Sequence, residues 1–132
     1  MADEVSELAA KPLRYFPHDA DASGDPKCKR LIRMYGVAGY GRWWLLCEAL
    51  ASEQGHGIPI ETENDAENLA AIIDAESASE AAEFVSFLET VGLVSCQDGV
   101  LRSRRMDENA EAFGRRRVAG RRGGSSKAKA RL

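Results

Sequence analysis

Apolar residues recur along this chain at helical spacing in four stretches. They fall at Cys28, Leu31, Ile32 and Tyr35, then at Trp43, Leu46, Cys47 and Leu50. They fall again at Leu69, Ile72 and Ile73, and at Phe84, Phe87, Leu88 and Val91. Steps of three and four residues place each set on one side of an amphipathic helix. Three short runs break the pattern and read as strands: Ile58-Pro59-Ile60, Leu93-Val94-Ser95-Cys96 and Val100-Leu101-Arg102-Ser103. Gln97-Asp98-Gly99 joins the last two, and Asp-Gly suits the tight turn of a hairpin. Pro59 cannot donate to a neighbouring strand, so its run belongs at a sheet edge.

The punctuation between these stretches predicts where each helix starts and stops. Asp25-Pro26 opens the first, because Asp accepts from free N–H groups and Pro suits the first helical turn. Gly36 closes it near Tyr35. A second helix is expected from about Gly39 to about Gln54, ended by Gly55-His56-Gly57, and its width of apolar surface marks it as the core helix. Asn64-x-x-Glu67 predicts a capping box for the third helix, and Ser77-x-x-Glu80 one for the fourth, which Gly92 stops. Trp43 and Trp44 point about 100° apart, so one is expected in the core and the other partly exposed. Residues 104–117 can form a last helix, with Met106, Ala110 and Phe113 on one face. Residues 1–12 read as a flexible lead-in, residues 13–113 as the domain, and residues 114–132 as a disordered basic tail. The order of elements is mainly α with a small β-hairpin, the winged form of helix-turn-helix.

Composition agrees with one globular domain: 132 residues, 44% hydrophobic and 30% charged. Three cysteines, Cys28, Cys47 and Cys96, are an odd number with no C-x-x-C pair. Buried thiols in a reducing compartment are the expected reading. The longest apolar run, Trp43 to Cys47, is too short to cross a bilayer, and the acidic start Met1-Ala2-Asp3-Glu4 is unlike a signal peptide. A soluble cytoplasmic protein, without a membrane partner, is expected.

Charge is unevenly placed. Residues 1–101 hold 18 acidic and 7 basic residues, net −11, whereas residues 102–132 hold 3 acidic and 11 basic, net +8. No Lys or Arg lies between Arg42 and Arg102. The fourth helix, which a winged helix would use to read DNA, therefore offers Glu80, Glu83, Ser86, Glu89 and Thr90, and its exposed face repels phosphates. Cations for nucleic acid sit elsewhere: Lys27, Lys29, Arg30 and Arg33 on the first helix, Arg102, Arg104 and Arg105 at and after the hairpin, and Arg115, Arg116, Arg117, Arg121 and Arg122 in the tail, followed by Lys127, Lys129 and Arg131. Each can neutralise a phosphate with little sequence preference.

Other chemistry is thinly represented. Asp19-x-Asp21-x-Ser23-Gly24 is like the start of a calcium loop, but its twelfth position is Arg30 where Glu is needed, so a turn that leads into the Asp25 cap is the better reading. His18, His56 and the cysteines fit no zinc spacing, and His56 reads as a loop residue. No G-x-S-x-G or G-x-x-x-x-G-K motif occurs, and Gly36-x-x-Gly39-x-Gly41 lacks the preceding strand of a dinucleotide loop. No catalytic residue, metal or cofactor is expected.

Tyr15-Phe16-Pro17-His18-Asp19, Asp25-Pro26-Lys27 and Tyr35-Gly36-x-x-Gly39-Tyr40-Gly41 together resemble the N-terminal domain of phage and prophage replisome-organiser proteins, the Lin1244/Lin1753-like family. The resemblance covers roughly residues 13–113, and the arginine-rich tail looks like the linker that follows this domain in longer relatives. It implies a winged-helix fold and a place near phage DNA replication. The chain then reads as a stand-alone form or a remnant of a longer initiator. Two functions stay open: DNA binding in replication or its control, through the basic residues, and a protein-interaction module that uses Glu76, Glu80, Glu83 and Glu89, in the extreme as a DNA mimic.

Overall fold

The structure, a computed structural model, describes the backbone of residues 3–130 and the side chains of residues 3–121. In chain order the elements are α1 (Glu4–Ala9), α2 (Pro26–Ser52), β1 (Gly57–Pro59), α3 (Glu63–Ile72), α4 (Ala78–Val91), β2 (Ser95–Gln97), β3 (Val100–Arg102) and α5 (Arg104–Ala130). The molecule is mainly helical with one small antiparallel sheet, in the order β1-β3-β2. β2 and β3 form the wing, and β1 closes on β3 with Ile58 opposite Leu101. Pro59 thus lies on an edge strand, where its missing N–H leaves no rung unmade. α3, α4 and the hairpin in this order make a winged helix.

Local chemistry accounts for most boundaries. The Asp25 carboxylate accepts from the N–H groups of Lys27 and Cys28 at 2.9 and 3.3 Å, which starts α2. The first and second predicted helices join as one element that is broken at Gly36, where φ is 73° and ψ is −168°. A side chain would be strained in that left-handed, extended conformation, so glycine allows the bend without an intervening loop. Ser77 caps α4 by accepting from the Glu80 N–H at 3.0 Å. Asp98 and Gly99 both adopt positive φ at the hairpin turn. The cap of α3 sits two residues before its predicted place. Thr62 Oγ1 accepts from Asp65 N, and Asp65 Oδ2 accepts from Thr62 N. This reciprocal box satisfies the first turn before Asn64 and Glu67 are reached.

The core is built around α2. Leu31, Leu46 and Leu50 from α2 meet Phe84 and Leu88 from α4, Ile73 after α3 and Leu101 from β3, all fully buried. Full burial of one such side chain stabilises by about 1.5–3 kcal/mol. Trp43 is in the core, and Trp44 is half-buried beneath His18, whose ring is stacked on it at 3.6 Å. The Trp44 indole N–H is buried without an acceptor.

Both ends of the chain differ from the sequence reading. Where a flexible lead-in is expected, α1 forms, capped by Asp3, with Leu8 buried. Where a disordered tail is expected from residue 114, α5 continues as a helix and packs along α1. The reason is a tertiary contact that neither segment announces alone. A Cβ built on Gly114 would stand 2.8 Å from the Val5 carbonyl oxygen and 3.0 Å from the Ala9 nitrogen, so the two helices meet backbone to backbone. Val118, one turn on, is buried. His56 holds the other side of α1. It lies in the short 3-10 turn between α2 and β1 and is buried there, and its Nδ1 and Nε2 lie 2.9 and 2.8 Å from the carbonyls of Leu50 and Ala9.

Gly114 and Gly120 give opposite expectations on the same helix. Gly120→Ala meets nothing within 4 Å and should stabilise by roughly 0.5–1 kcal/mol through helix propensity. Gly114→Ala forces backbone apart and should destabilise by roughly 1–3 kcal/mol. Thermal unfolding of the two variants checks this, and equal shifts of the same sign would mean that α1 and α5 do not meet at Gly114. The thiols give a second expectation. Burial pushes Cys47 up to about 12 and Cys96 up to about 11, and raises Cys28, in each case as the largest cause. A thiol held above its unfolded value stays protonated in the fold, so its contribution is full below the unfolded value and is lost as pH rises. Stability should therefore fall as pH climbs past about 9, the ordinary thiol value. At pH 8 the folded protein should react with a disulfide reagent far more slowly than the urea-unfolded chain. Rapid reaction of all three cysteines in the folded state would contradict it.

Candidate functional site

A helix-turn-helix presents the second helix of its pair to DNA, here α4, and the winged form adds the hairpin. α4 turns Ala81, Phe84, Val85 and Leu88 inward and leaves Ser79, Ala82, Glu83, Ser86, Glu89 and Thr90 exposed. The wing tip carries Gln97 and Asp98. Neither surface holds a cation. Two of the four acids singled out from sequence are used within the fold. Glu80 accepts from the Glu76 N–H at 3.0 Å and pairs with Arg42 at 2.8 Å. The backbone N–H of Glu76 is the larger cause that keeps the Glu80 carboxyl below its usual range, and Arg42 adds to it. Glu89 accepts from the Cys96 N–H at 3.1 Å, which ties α4 to the wing. Glu76 and Glu83 remain exposed on the surface.

Between α3, α4 and the wing runs a groove of about 240 Å³ with an apolar floor. Ala66 and Leu69 line it from α3, Ala82 and Val85 from α4, and Ile60 from the loop after β1, with Glu89 at its side. Glu67 and Glu83, the neighbours of Ala66 and Ala82 in sequence, are both exposed. The groove beside α4 is thus mainly apolar, with Glu89 the acid in its lining and no Lys or Arg there.

The basic residues separate into those the fold employs and those it leaves free. Lys27 Nζ donates to the Gly92 carbonyl at 3.1 Å, so it ties α2 to the end of α4. Arg102 turns inward from the wing. It donates to the Gly55 carbonyl and pairs with Asp107, both at 2.9 Å. Arg104 pairs with Glu108, Arg105 with Asp19, Arg115 with Glu111, and Arg121 with Glu4. These four arginines are exposed, and exposed pairs of this kind stabilise little and open readily to a phosphate. Arg116 and Arg117 stand 5.9 and 4.4 Å from the centre of the Phe113 ring. Lys29, Arg30 and Arg33 are exposed on α2, with no charged or hydrogen-bonding partner among the described residues. The side chains of Arg122, Lys127 and Lys129, and all of Arg131, lie outside the described residues.

The remaining candidates have structural places. Asp19 holds Arg105, residues 22–24 form a single 3-10 turn, and Asp25 caps α2. Among the described residues no three His, Cys, Asp or Glu side chains converge as metal ligands. No described helix is long and apolar enough to cross a membrane. Sequence reasoning missed Arg42, which bridges α2 to Glu80 and to the Asp74 carbonyl at 3.2 Å, and it missed the groove. Neither leaves a local signal, because an arginine's partners and a cleft's walls come from separate segments.

No curated protein and no solved structure matches the chain significantly. A family model does match, over residues 15–106, from the extended segment before α2 to the first turn of α5. That stretch is more than half of the chain and holds the whole winged helix, with α1 and the rest of α5 outside it. The chain therefore belongs to the Lin1244/Lin1753-like N-terminal domain family.

Proposed function

We propose that this chain is a non-catalytic winged-helix protein of phage or prophage origin that works in the bacterial cytoplasm, in DNA replication or its control. It holds DNA by phosphate contacts from α2 and α5 and does not read bases with α4. The observation that carries this reading is the division of charge on the fold. Among the described residues Lys29, Arg30 and Arg33 have no charged or hydrogen-bonding partner, and Arg116 and Arg117 engage a ring alone. The reading helix and the wing tip carry no cation, and the wing's arginine, Arg102, is turned inward onto Gly55 and Asp107. Phosphate contacts release counterions and so give affinity that falls steeply with salt, with little discrimination between sequences. The family resemblance to replisome organisers supplies the biological setting.

A second reading has its own observation. The apolar, acid-flanked groove stands where a winged helix usually meets DNA, and such a surface suits a basic protein partner.

Anisotropy of labelled single- and double-stranded DNA, titrated across a salt series, separates the two. Substitution is the right tool rather than removal of residues 114–132, because Gly114 and Val118 seat α1. The Lys29→Ala, Arg30→Ala, Arg33→Ala triple variant should lower the slope of log K against log salt by about 2–3, near 0.9 for each phosphate that is no longer neutralised. Arg116→Gln with Arg117→Gln should lower it by about 1–2 on the same scale. Tighter binding by Glu83→Lys alone would put DNA against α4 instead. No binding to either DNA at low salt would leave the protein-interaction reading standing.

A further inference from the structure

Two unpartnered surfaces of this chain complement each other. The first is the outer side of α2 around its break. Met34 and Val37 are 63% and 80% exposed. Single exposed apolar side chains are ordinary, but these two flank the Gly36 bend together and follow Arg30 and Arg33, which have no partner among the described residues. From Pro26 to Cys47, α2 contains no acidic residue. The second surface is the groove of α3, α4 and the wing, with Leu69, Ala82, Val85 and Glu89 in its lining, and with exposed Glu67 and Glu83 next in sequence to the lining residues Ala66 and Ala82. From residue 43 to residue 101 there is no cation to offset those acids.

One copy cannot bring the two together. The side of α2 that meets α4 is the buried one. Leu31 is fully buried there, and the Tyr35 ring lies 5.1 and 5.3 Å from those of Phe84 and Phe87. Arg30, Arg33, Met34 and Val37 stay exposed, and so do Ala82 and Glu83 on α4, so the two surfaces do not cover each other within one copy.

We propose that the occupant of the groove is a second copy of this chain, which inserts the Arg30, Arg33, Met34 and Val37 stripe of its α2. Apolar floor then meets apolar tips, and two guanidinium groups meet the flanking carboxylates. The contact joins different surfaces on the two copies, so it is head-to-tail and continues into short chains unless the rotation closes a ring. One helix stripe in one groove is smaller than a standard stable interface, so association is weak, concentration-dependent and sensitive to salt. This proposal uses Arg30 and Arg33, which the DNA reading also uses, but its test contains no DNA, so either can fail alone.

Sedimentation velocity of the full, nucleic-acid-free chain provides the test, at low salt and over a hundredfold range of concentration. The weight-average sedimentation coefficient should rise with concentration past the dimer value and fall back in high salt. Val37→Glu spoils the stripe and Ala82→Arg spoils the groove, and both positions are exposed, so both variants should fold, as circular dichroism verifies. Each variant alone should stay monomeric. An equimolar mixture should form a dimer and stop there, because the intact stripe of the Ala82→Arg copy fits the intact groove of the Val37→Glu copy. A wild-type chain that stays monomeric throughout would overturn the proposal. So would wild-type association that survives both substitutions, or a mixture that stays monomeric.

Discussion

The packing of α2 on α4 governs the arrangement of everything else in this molecule. Leu31, Leu46 and Leu50 are buried against a layer that includes Phe84 and Leu88, and Tyr35 meets Phe84 and Phe87 edge to face. This burial supplies most of the stabilisation, several times what the polar contacts around it contribute. The polar contacts set register instead. Lys27 reaches the Gly92 carbonyl at the C-terminal end of α4, and Arg42 reaches Glu80 and the Asp74 carbonyl at its N-terminal end. α4 is therefore clasped at both ends by cations from one helix, which leaves it little freedom to slide.

That clasp also decides which charges face outward. Lys27, Arg42, Glu80, Glu89 and Arg102 are spent on capping, bridging and tying the wing. What remains at the surface is divided: among the described residues, unpartnered cations on α2 and exposed arginines along α5, and exposed acids on α3 and α4. A winged helix with ordinary topology thus has its usual reading surface inverted in charge. Coulomb repulsion between α4 and a phosphate backbone makes base reading there unfavourable, while the same carboxylates favour a cationic surface.

The α1–α5 pair is a second layer on this frame. Gly114 lets the two helices meet at backbone distance, Val118 fills the next turn, and His56 ties the carbonyl of Ala9 to that of Leu50. The Gly55 N–H also donates to the Ala10 carbonyl, at 2.6 Å. A lead-in that looks featureless in sequence is consequently part of the folded body, and α5 is anchored well beyond the stretch that the family model matches.

The sequence by itself determined the elements whose causes are local. Asp25-Pro26, Ser77 and Gly92 act within one helical turn, Asp98-Gly99 within one hairpin, and apolar spacing marks the buried side of α2, α3 and α4 whatever lies opposite. The winged-helix order, the Pro59 edge strand and the acidic character of α4 follow from these. Tertiary structure decided whatever depends on two distant segments. α1 and the extension of α5 exist because each covers the other, and neither has an apolar face strong enough to show alone. Arg102 was grouped with the outward cations because a strand residue reveals its sign but not its partners, and Gly55 and Asp107 turn it inward. The groove needed α3, α4 and the wing at once, since a concave surface is a property of relative position. Charge is readable residue by residue. Whether a charge is free to meet a partner is settled only when folding has chosen which charges to pair.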